Sequence, residues 1–386
     1  MINQDLLNGG RSSTDIFLNA VCAQAQKDAA LPYVLSYSPV SVLNPFQQLL
    51  YCSATAGGYA LVPTTKFKNL STVNWRNRSV IHLHWVASVL KACTSKGHAD
   101  FCVQQFEKKL ENWRALGHKL LWTMHNVLPH ESVFFEAEIA LRKKIINYCD
   151  AIHILSEDSI EIASEFYPIE NKKIFHIPHP SYEGWYPNII DRTSARQYLG
   201  LGFNEFIFLA FGSIQRYKGV LELVRAFKIM KNENPTLRLR LVIAGKPVDT
   251  EYIREISIEM GAADSITFIQ DSMEDRDIQI FFNAADVVVA PYKKTLNSGI
   301  ALLAATFKKE LVAPYSPGIK QTYNTDTTLL YTERPGDELI DALHRSIFYR
   351  ISEGKFIDIL KHHRPKDISK RFFDAVTSNL MEDMNR

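Results

Sequence analysis

Phe206 to Met230 reads FIFLAFGSIQRYKGVLELVRAFKIM, and the rest of the chain is placed by how this stretch folds. Phe206 to Phe211 is an unbroken apolar run of strand length. After Gly219 the apolar residues Val220, Leu223, Val224, Phe227 and Met230 recur at helical spacing, so the stretch is strand, loop, helix. The loop holds Gly212, Ser213, Arg216, Lys218 and Gly219. Backbone amides, a helix N-terminus and two cations can meet there, which is chemistry for an anion such as a diphosphate. A buried parallel strand leading into a helix puts the loop at the carboxyl edge of an open α/β sheet, where such folds bind ligands. The loop matches neither Gly-x4-Gly-Lys-Ser/Thr nor Gly-x-Gly-x-x-Gly. The alternative is a surface turn with a solvated Arg216 and Lys218.

Asp286 to Pro314, DVVVAPYKKTLNSGIALLAATFKKELVAP, repeats this logic. An apolar strand runs into a loop with Asn297, Ser298 and Gly299, then into a helix, Ile300 to Phe307, that is apolar on every side. Two helix N-termini, after Gly219 and at Ser298-Gly299, suit a diphosphate held without a metal. The bland reading is that Asn297-Ser298 caps a structural helix.

Strands and helices alternate outward from these two stretches. In the second half we expect strands at 239–244, 266–269, 287–292, 311–313 and 329–331. In the first half they fall at 33–37, 59–62, 80–85, 119–125, 151–155 and 173–177, with helices over 45–56, 100–116 and 136–147 and a helix start at Ser156. The pattern is α/β, with two doubly wound parallel sheets. Residues 1–30 form an N-terminal appendage, helical from Thr14 or Asp15 to Ala29, and 31–185 a first domain. The connection IPHPSYEGWYPN carries Pro178, Pro180, Gly184 and Pro187. A second domain follows over 186–368, and a closing helix, Lys370 to Leu380, lies within 369–386.

With 386 residues there is chain enough for two cores, and a net charge of +2 makes no demand for nucleic acid. Basic clusters at Lys66 and Lys68, Arg76 and Arg78, Lys108 and Lys109, and Arg142 to Lys144 all lie in the first half. They are either solvated faces or a basic surface for a peripheral contact with an anionic membrane. The five cysteines contain no Cys-x-x-Cys pair, which points to a reducing compartment and mostly buried thiols. No basic segment precedes an apolar core at the N-terminus, and no apolar run reaches membrane-spanning length. We therefore expect neither a signal peptide nor a membrane span, and a cytoplasmic location, at or near the inner face of the membrane.

The order Gly212-Ser213-x4-Lys218-Gly219, Val242-Ile243-Ala244-Gly245, Ala285-Asp286-Val287-Val288-Val289-Ala290-Pro291 and Ser298-Gly299 before an apolar helix resembles the retaining glycosyltransferases of family 4. The resemblance is good over 206–331 and weak before it. It implies the GT-B fold, two facing Rossmann-like domains with the site in the cleft between them. It also implies a nucleotide-sugar donor, UDP- or GDP-linked, on the C-terminal domain and an acceptor on the N-terminal one, with no cofactor. By position Lys218 would hold the donor diphosphate, with Gly212, Ser213 and Arg216 beside it and backbone amides from Ser298 and Gly299. Arg216 stands two residues before the lysine, whereas the family's arginine follows the loop's first glycine. The family's Glu-x7-Glu pair would fall on Leu296 and Ala304, neither acidic, so the likeness is to a subgroup without the pair; Asn297 offers one polar contact to the sugar in its place.

The first half gathers polar and aromatic residues at the expected strand ends: His82, His84 and Trp85, then Thr123, His125, Asn126, His130 and Glu131. Such a wall positions a pyranose by aromatic faces and its hydroxyls by imidazole or carboxylate. His82 shares strand parity with His84 and is also readable as a core histidine. His125 matches the position where family 4 enzymes carry a histidine facing the donor sugar, and the resemblance makes it the catalytic candidate. His84, Trp85, Asn126, His130 and Glu131 are donor-sugar or acceptor candidates, while His176 and His179 flank Pro178 in the connection. His125-x4-His130-Glu131 lacks a third ligand at a familiar spacing, so no metal is expected. The expectation is a metal-independent hexosyltransferase acting on a carbohydrate or lipid-linked acceptor in polysaccharide or glycoconjugate biosynthesis. The alternatives are a catalytically silent GT-B subunit that binds a glycan or partner enzyme, and a sugar-nucleotide epimerase using Glu131.

Overall fold

The structure, a computed structural model, describes residues 20–24, 32–41, 44–70, 78–129, 132–170, 172–293, 296, 299–323, 326–332 and 338–381. The chain forms two compact units, Met1–Pro180 with His363–Arg386, and Ser181–His362. The expected boundaries at 185/186 and 368/369 thus shift to 180/181 and 362/363. Of the expected N-terminal helix, residues 20–24 are helical and the remainder lies outside the described residues.

The first unit runs β1 (Tyr33–Ser38), α1 (Phe46–Leu50), β2 (Tyr59–Pro63), β3 (Ser79–Leu83), α2 (Lys96–Ala115), β4 (Lys119–Met124), α3 (Phe135–Tyr148), β5 (Ala151–Ile154), α4 (Ser159–Ser164) and β6 (Lys173–His176). Every strand pairing is parallel, in the order β2-β1-β3-β4-β5-β6. Strands buried on both faces read as continuous apolar runs, which is why they stand out in the sequence. Helix limits differ more. The helix expected over 45–56 stops at Leu50, since the amide of Ser53 is taken by Ser369 Oγ at 2.8 Å instead of by an earlier carbonyl. Helix α2 starts before Asp100 because Ser95 caps it, accepting from the amide of His98 at 3.2 Å. Ser156 does not cap α4, whose N-cap is Asp158.

The second unit runs α5 (Arg192–Tyr198), β7 (Phe206–Phe211), α6 (Val220–Glu233), β8 (Leu239–Ala244), α7 (Thr250–Met260), β9 (Ile266–Ile269), α8 (Ile278–Ala284), β10 (Val287–Val289), α9 (Gly299–Thr306), β11 (Glu310–Pro314), α10 (Pro317–Thr322), β12 (Leu330–Tyr331), α11 (Glu338–Phe348) and α12 (Glu353–Lys361). The parallel order is β12-β11-β10-β7-β8-β9. The connections therefore reverse direction between β7 and β10, the position at which doubly wound sheets open a binding crevice. Leu223, Val224, Phe227 and Met230 of α6 are wholly buried in the same core as Phe208, Leu241 and Val287. Asp286 is part of the frame: it accepts from Arg196 at 2.7 Å and from the amide of Ile207 at 2.8 Å.

The chain then returns to the first unit. Helix α13 (Pro365–Val376) begins at a proline, five residues before the expected Lys370, and buries Phe372 and Phe373 beside Tyr37 and Tyr51.

Two surface expectations are corrected. Only Cys149 of the five thiols is buried; Cys22 and Cys52 are exposed, and Cys93 and Cys102 are partly covered. Arg142 is buried against Glu138 and Lys144 pairs with Glu107 at 2.8 Å, so two of this cluster's three cations are drawn into intramolecular pairs while Lys143 is exposed. No helix among the described residues is long and apolar enough to cross a membrane.

Candidate functional site

Three glycines meet at the carboxyl ends of β7, β8 and β10. A Cβ on Gly245 would fall 1.8 Å from the carbonyl oxygen of Gly212, and one on Gly219 would fall 2.1 Å from that of Pro291. Gly219 also has φ 68 at the head of α6, and Gly212 has φ 111. Gly219 and Gly245 are therefore close-approach positions where no side chain fits, while Gly212 is held by its left-handed backbone. Over Gly212 lies Lys218, whose Nζ would be 3.1 Å from a Cβ there and which lies 5.5 Å from the Tyr292 ring. Among the described residues its ammonium has neither an ion pair nor a hydrogen bond. Burial lowers its pKa to about 8. An anion would be the complement of this half-buried cation.

Of the other residues expected at the diphosphate, Ser213 accepts a hydrogen bond from Gln215 at 2.9 Å, and Gly299 begins α9. Ser298 and Asn297 lie outside the described residues. Arg216 is turned to its own unit: it donates to Asp249 at 3.0 Å and, with both terminal nitrogens, to Glu255 at 2.8 and 2.7 Å. Those carboxylates stand 33 and 39 residues away in the chain, so local sequence could not reveal them. Leu296 and Ala304, where the acidic pair would fall, are both buried.

The first unit holds a continuous buried array. His153 Nε2 lies 2.8 Å from the carbonyl of Ile177, and His153 Nδ1 lies 2.9 Å from Thr123 Oγ1. Thr123 Oγ1 lies 2.6 Å from His82 Nε2. The Tyr51 hydroxyl is 2.7 Å from both His82 Nδ1 and His84 Nε2. Finally His84 Nδ1 is 2.9 Å from His125 Nε2. Parity along β3 placed His82 and His84 on one face; both point inward, and the core reading of His82 is right. Tyr51 and His153 were not foreseen as partners, because strand parity does not say which strands adjoin.

The array has one direction. Burial holds His82, His84 and His125 well below the usual histidine range and His153 at about 3, so each ring is neutral, with one donor and one acceptor nitrogen. The Ile177 carbonyl can only accept, so His153 donates to it and accepts from Thr123. Thr123 then accepts from His82, which accepts from Tyr51. Tyr51 accepts from His84, which accepts from His125. A single carbonyl thus sets His125 as the Nε2–H tautomer, leaving Nδ1 as the acceptor nitrogen.

His84 is wholly buried with both ring nitrogens engaged, so it orients His125 and is not itself placed to contact a sugar. Trp85 has φ 27, uncommon for a bulky side chain, and its ring stacks on His125 with centroids 4.3 Å apart and planes at 16°. Phe46 meets His125 edge-on at 4.9 Å and His179 at 4.9 Å. His179, lowered to about 4 by burial, donates from Nδ1 to the Pro180 carbonyl at 2.7 Å. Asn126 follows, half-buried, whereas His130 and Glu131 lie outside the described residues.

Residues 191–331 match the family model described as "Glycosyl transferases group 1". The likeness to that family covers this segment of the chain. The matched segment contains Gly212, Gly219, Gly245, Lys218 and the start of α9. Over 244 residues the chain is 27% identical to the GDP-mannose:glycolipid 4-beta-D-mannosyltransferase of Xanthomonas campestris pv. campestris, covering 61% of this chain and 61% of that one. Over 180 residues it is 26% identical to the mannosylfructose-phosphate synthase of Agrobacterium fabrum, covering 43% of this chain and 39% of that one. The matched region is thus less than two thirds of the length of either relative. Among solved structures, sucrose-phosphate synthase from Thermosynechococcus elongatus aligns with a TM-score of 0.66 at 14% identity, over 89% of this chain and 98% of that one. Anabaena HepE, solved in complex with UDP and glucose, aligns with a TM-score of 0.62 at 15% identity, over 89% and 99%. The chain thus has the GT-B fold, as the motif order implied.

Proposed function

We propose that the chain is a glycosyltransferase that moves a hexose from a UDP- or GDP-linked donor to a carbohydrate or lipid-linked acceptor, without a catalytic metal. The observation that carries this reading is the glycine convergence around Lys218: backbone at close approach beside a half-buried, unpaired cation is what a diphosphate requires. Lys218, the amides of Gly212 and Ser213, that of Gly299 at the head of α9 and, from the sequence, that of Ser298 neutralise the leaving diphosphate. His125 presents its acceptor nitrogen to the reacting sugar, with Trp85, Asn126, His130 and Glu131 available for sugar or acceptor hydroxyls. The donor of the Xanthomonas relative, named as GDP-mannose, favours trying guanosine donors first. A polysaccharide or glycolipid product, made by a peripheral protein at the cytoplasmic face of a membrane, is the corresponding setting.

The test is a thermal-shift screen of UDP- and GDP-sugars followed by turnover of the stabilising donor, since a ligand of the native state raises the melting temperature. Stabilisation with release of nucleoside diphosphate supports the reading, and no stabilisation by any donor removes it. Stabilisation without turnover on any acceptor would favour a silent binding subunit, the reading that buried, apolar Leu296 and Ala304 support. Activity that survives EDTA supports metal independence. Loss restored by Mg²⁺ or Mn²⁺ would replace Lys218 with a bound ion as the main counter-charge.

A further inference from the structure

Away from both loci, one group of three metal-ligating side chains is assembled among the described residues: Cys93, His98 and Cys102, whose Sγ, imidazole nitrogen and Sγ all lie within 4.8 Å of one another. The placement has a local cause. His98 and Cys102 are four residues apart in the first turns of α2 and share one helix face. Cys93 is brought to that face by the turn before the helix, where its amide donates to the Leu90 carbonyl at 3.0 Å and Ser95 caps α2.

We propose that Cys93, His98 and Cys102 form a binding site for a soft divalent cation of the zinc type. Two sulfurs and one imidazole are the donor set that selects Zn²⁺ over oxygen-seeking Mg²⁺ or Ca²⁺. Tetrahedral zinc with these ligands needs donor separations of roughly 3.5–3.8 Å, given bonds of about 2.0–2.3 Å, so the group needs to close by about 1.3 Å at most. Both thiols are free and partly covered, and His98 is exposed, so an ion can enter from solvent. Burial and the neighbouring Cys102 raise the Cys93 thiol to about 11, so without an ion that thiol is held protonated. Binding displaces both thiol protons to solvent, and two thiolates cancel the charge of the cation. Three protein ligands leave the fourth position to water.

The ion would tie the segment after β3 to α2. That segment starts at Trp85, the residue stacked on His125, so the site stiffens the connection from the histidine array to the helix layer. It is unrelated to the diphosphate locus, and its occupancy is independent of whether the chain transfers sugar.

The test uses the full chain, reduced and stripped of metal, titrated with Co²⁺ and then Zn²⁺. One equivalent of Co²⁺ should give thiolate charge-transfer and tetrahedral ligand-field bands that Zn²⁺ abolishes, and Zn²⁺ should raise the melting temperature. Cys93→Ser, Cys102→Ser and His98→Gln should each weaken Co²⁺ binding tenfold or more, whereas a Cys22→Ser/Cys52→Ser variant should bind as the parent does. Absence of a one-to-one thiolate spectrum in the reduced parent overturns the proposal, whatever the variants do. So does parental affinity in Cys93→Ser/Cys102→Ser. A Cys93–Cys102 disulfide that persists under excess reductant and blocks Co²⁺ would equally overturn it.

Discussion

His84 Nδ1 lies 2.9 Å from His125 Nε2, and through that contact the direction set at the Ile177 carbonyl reaches the end of β4. Thr123 is the step that both accepts and donates. Thr123→Val keeps the shape and removes both functions, leaving His82 and His153 each with an unpaired buried nitrogen, at a cost of about 1–3 kcal/mol per group. Urea denaturation should report that loss. Nitrogen-15 NMR should show His125 no longer confined to one tautomer. Unchanged stability together with an unchanged His125 spectrum would dissolve the array as a functional unit.

His125→Ala should lower kcat by about tenfold or more and leave the nucleotide Kd within about twofold, because the diphosphate ligands proposed here belong to the other unit. The variant also strips His84 of its donor, so its stability must be measured alongside. If activity falls only in proportion to the folded fraction, His125 is a packing residue.

Lys218→Ala should weaken nucleoside diphosphate binding by about 1.5–3 kcal/mol, read by calorimetry. The depressed pKa adds a pH signature. Between about 8 and the ordinary lysine value the unfolded chain holds the proton and the folded chain does not, so stability without nucleotide rises as pH climbs through that window. Nucleotide affinity moves the other way and weakens above pH 8, as the charge is lost. Lys218→Met should abolish both trends and raise the melting temperature of the empty protein. An affinity flat from pH 7 to 9.5 would remove Lys218 from the anion site.

Acid should unfold the first unit early. His153 is lowered to about 3 in the folded chain and returns to 6.5 on unfolding, so the unfolded state binds the extra proton between those values. The contribution is whole above pH 6.5 and is lost as pH falls, at about 1.4 kcal/mol per pH unit for this ring. His82, His84 and His125 are lowered by burial too and add in the same direction. Chemical denaturation at pH 7 and pH 5 measures the difference. His153→Gln should reduce it by that ring's share, and equal stability of the parent at both pH values would show that the rings are not dry.

Both sheets were readable because their strands are apolar runs, and β7, β8 and β9 fall where expected. The glycine loop was readable because glycine is required there: Gly219 and Gly245 meet backbone that no side chain permits, and Gly212 has φ 111. What stayed hidden depends on pairing across the fold. Tyr51 joins His82 and His84 from a turn 31 and 33 residues earlier, and Arg216 finds its carboxylates beyond α6, at the N-cap and within α7. The thiol and imidazole group escaped notice because its spacing is set by a helix cap at Ser95 and resembles no familiar metal motif.

The last helix belongs to the unit made first. Phe372 of α13 stacks on His82 with centroids 5.5 Å apart and planes at 15°, and meets His153 at 5.2 Å. The ribosome therefore releases β1 to β6 long before the side chain that dries their polar interior exists. Until Phe372 emerges, the ring that covers His82 and His153 is missing and water can reach the imidazoles. The second unit can fold as soon as it clears the tunnel, but the first is not complete until α13 has followed it out.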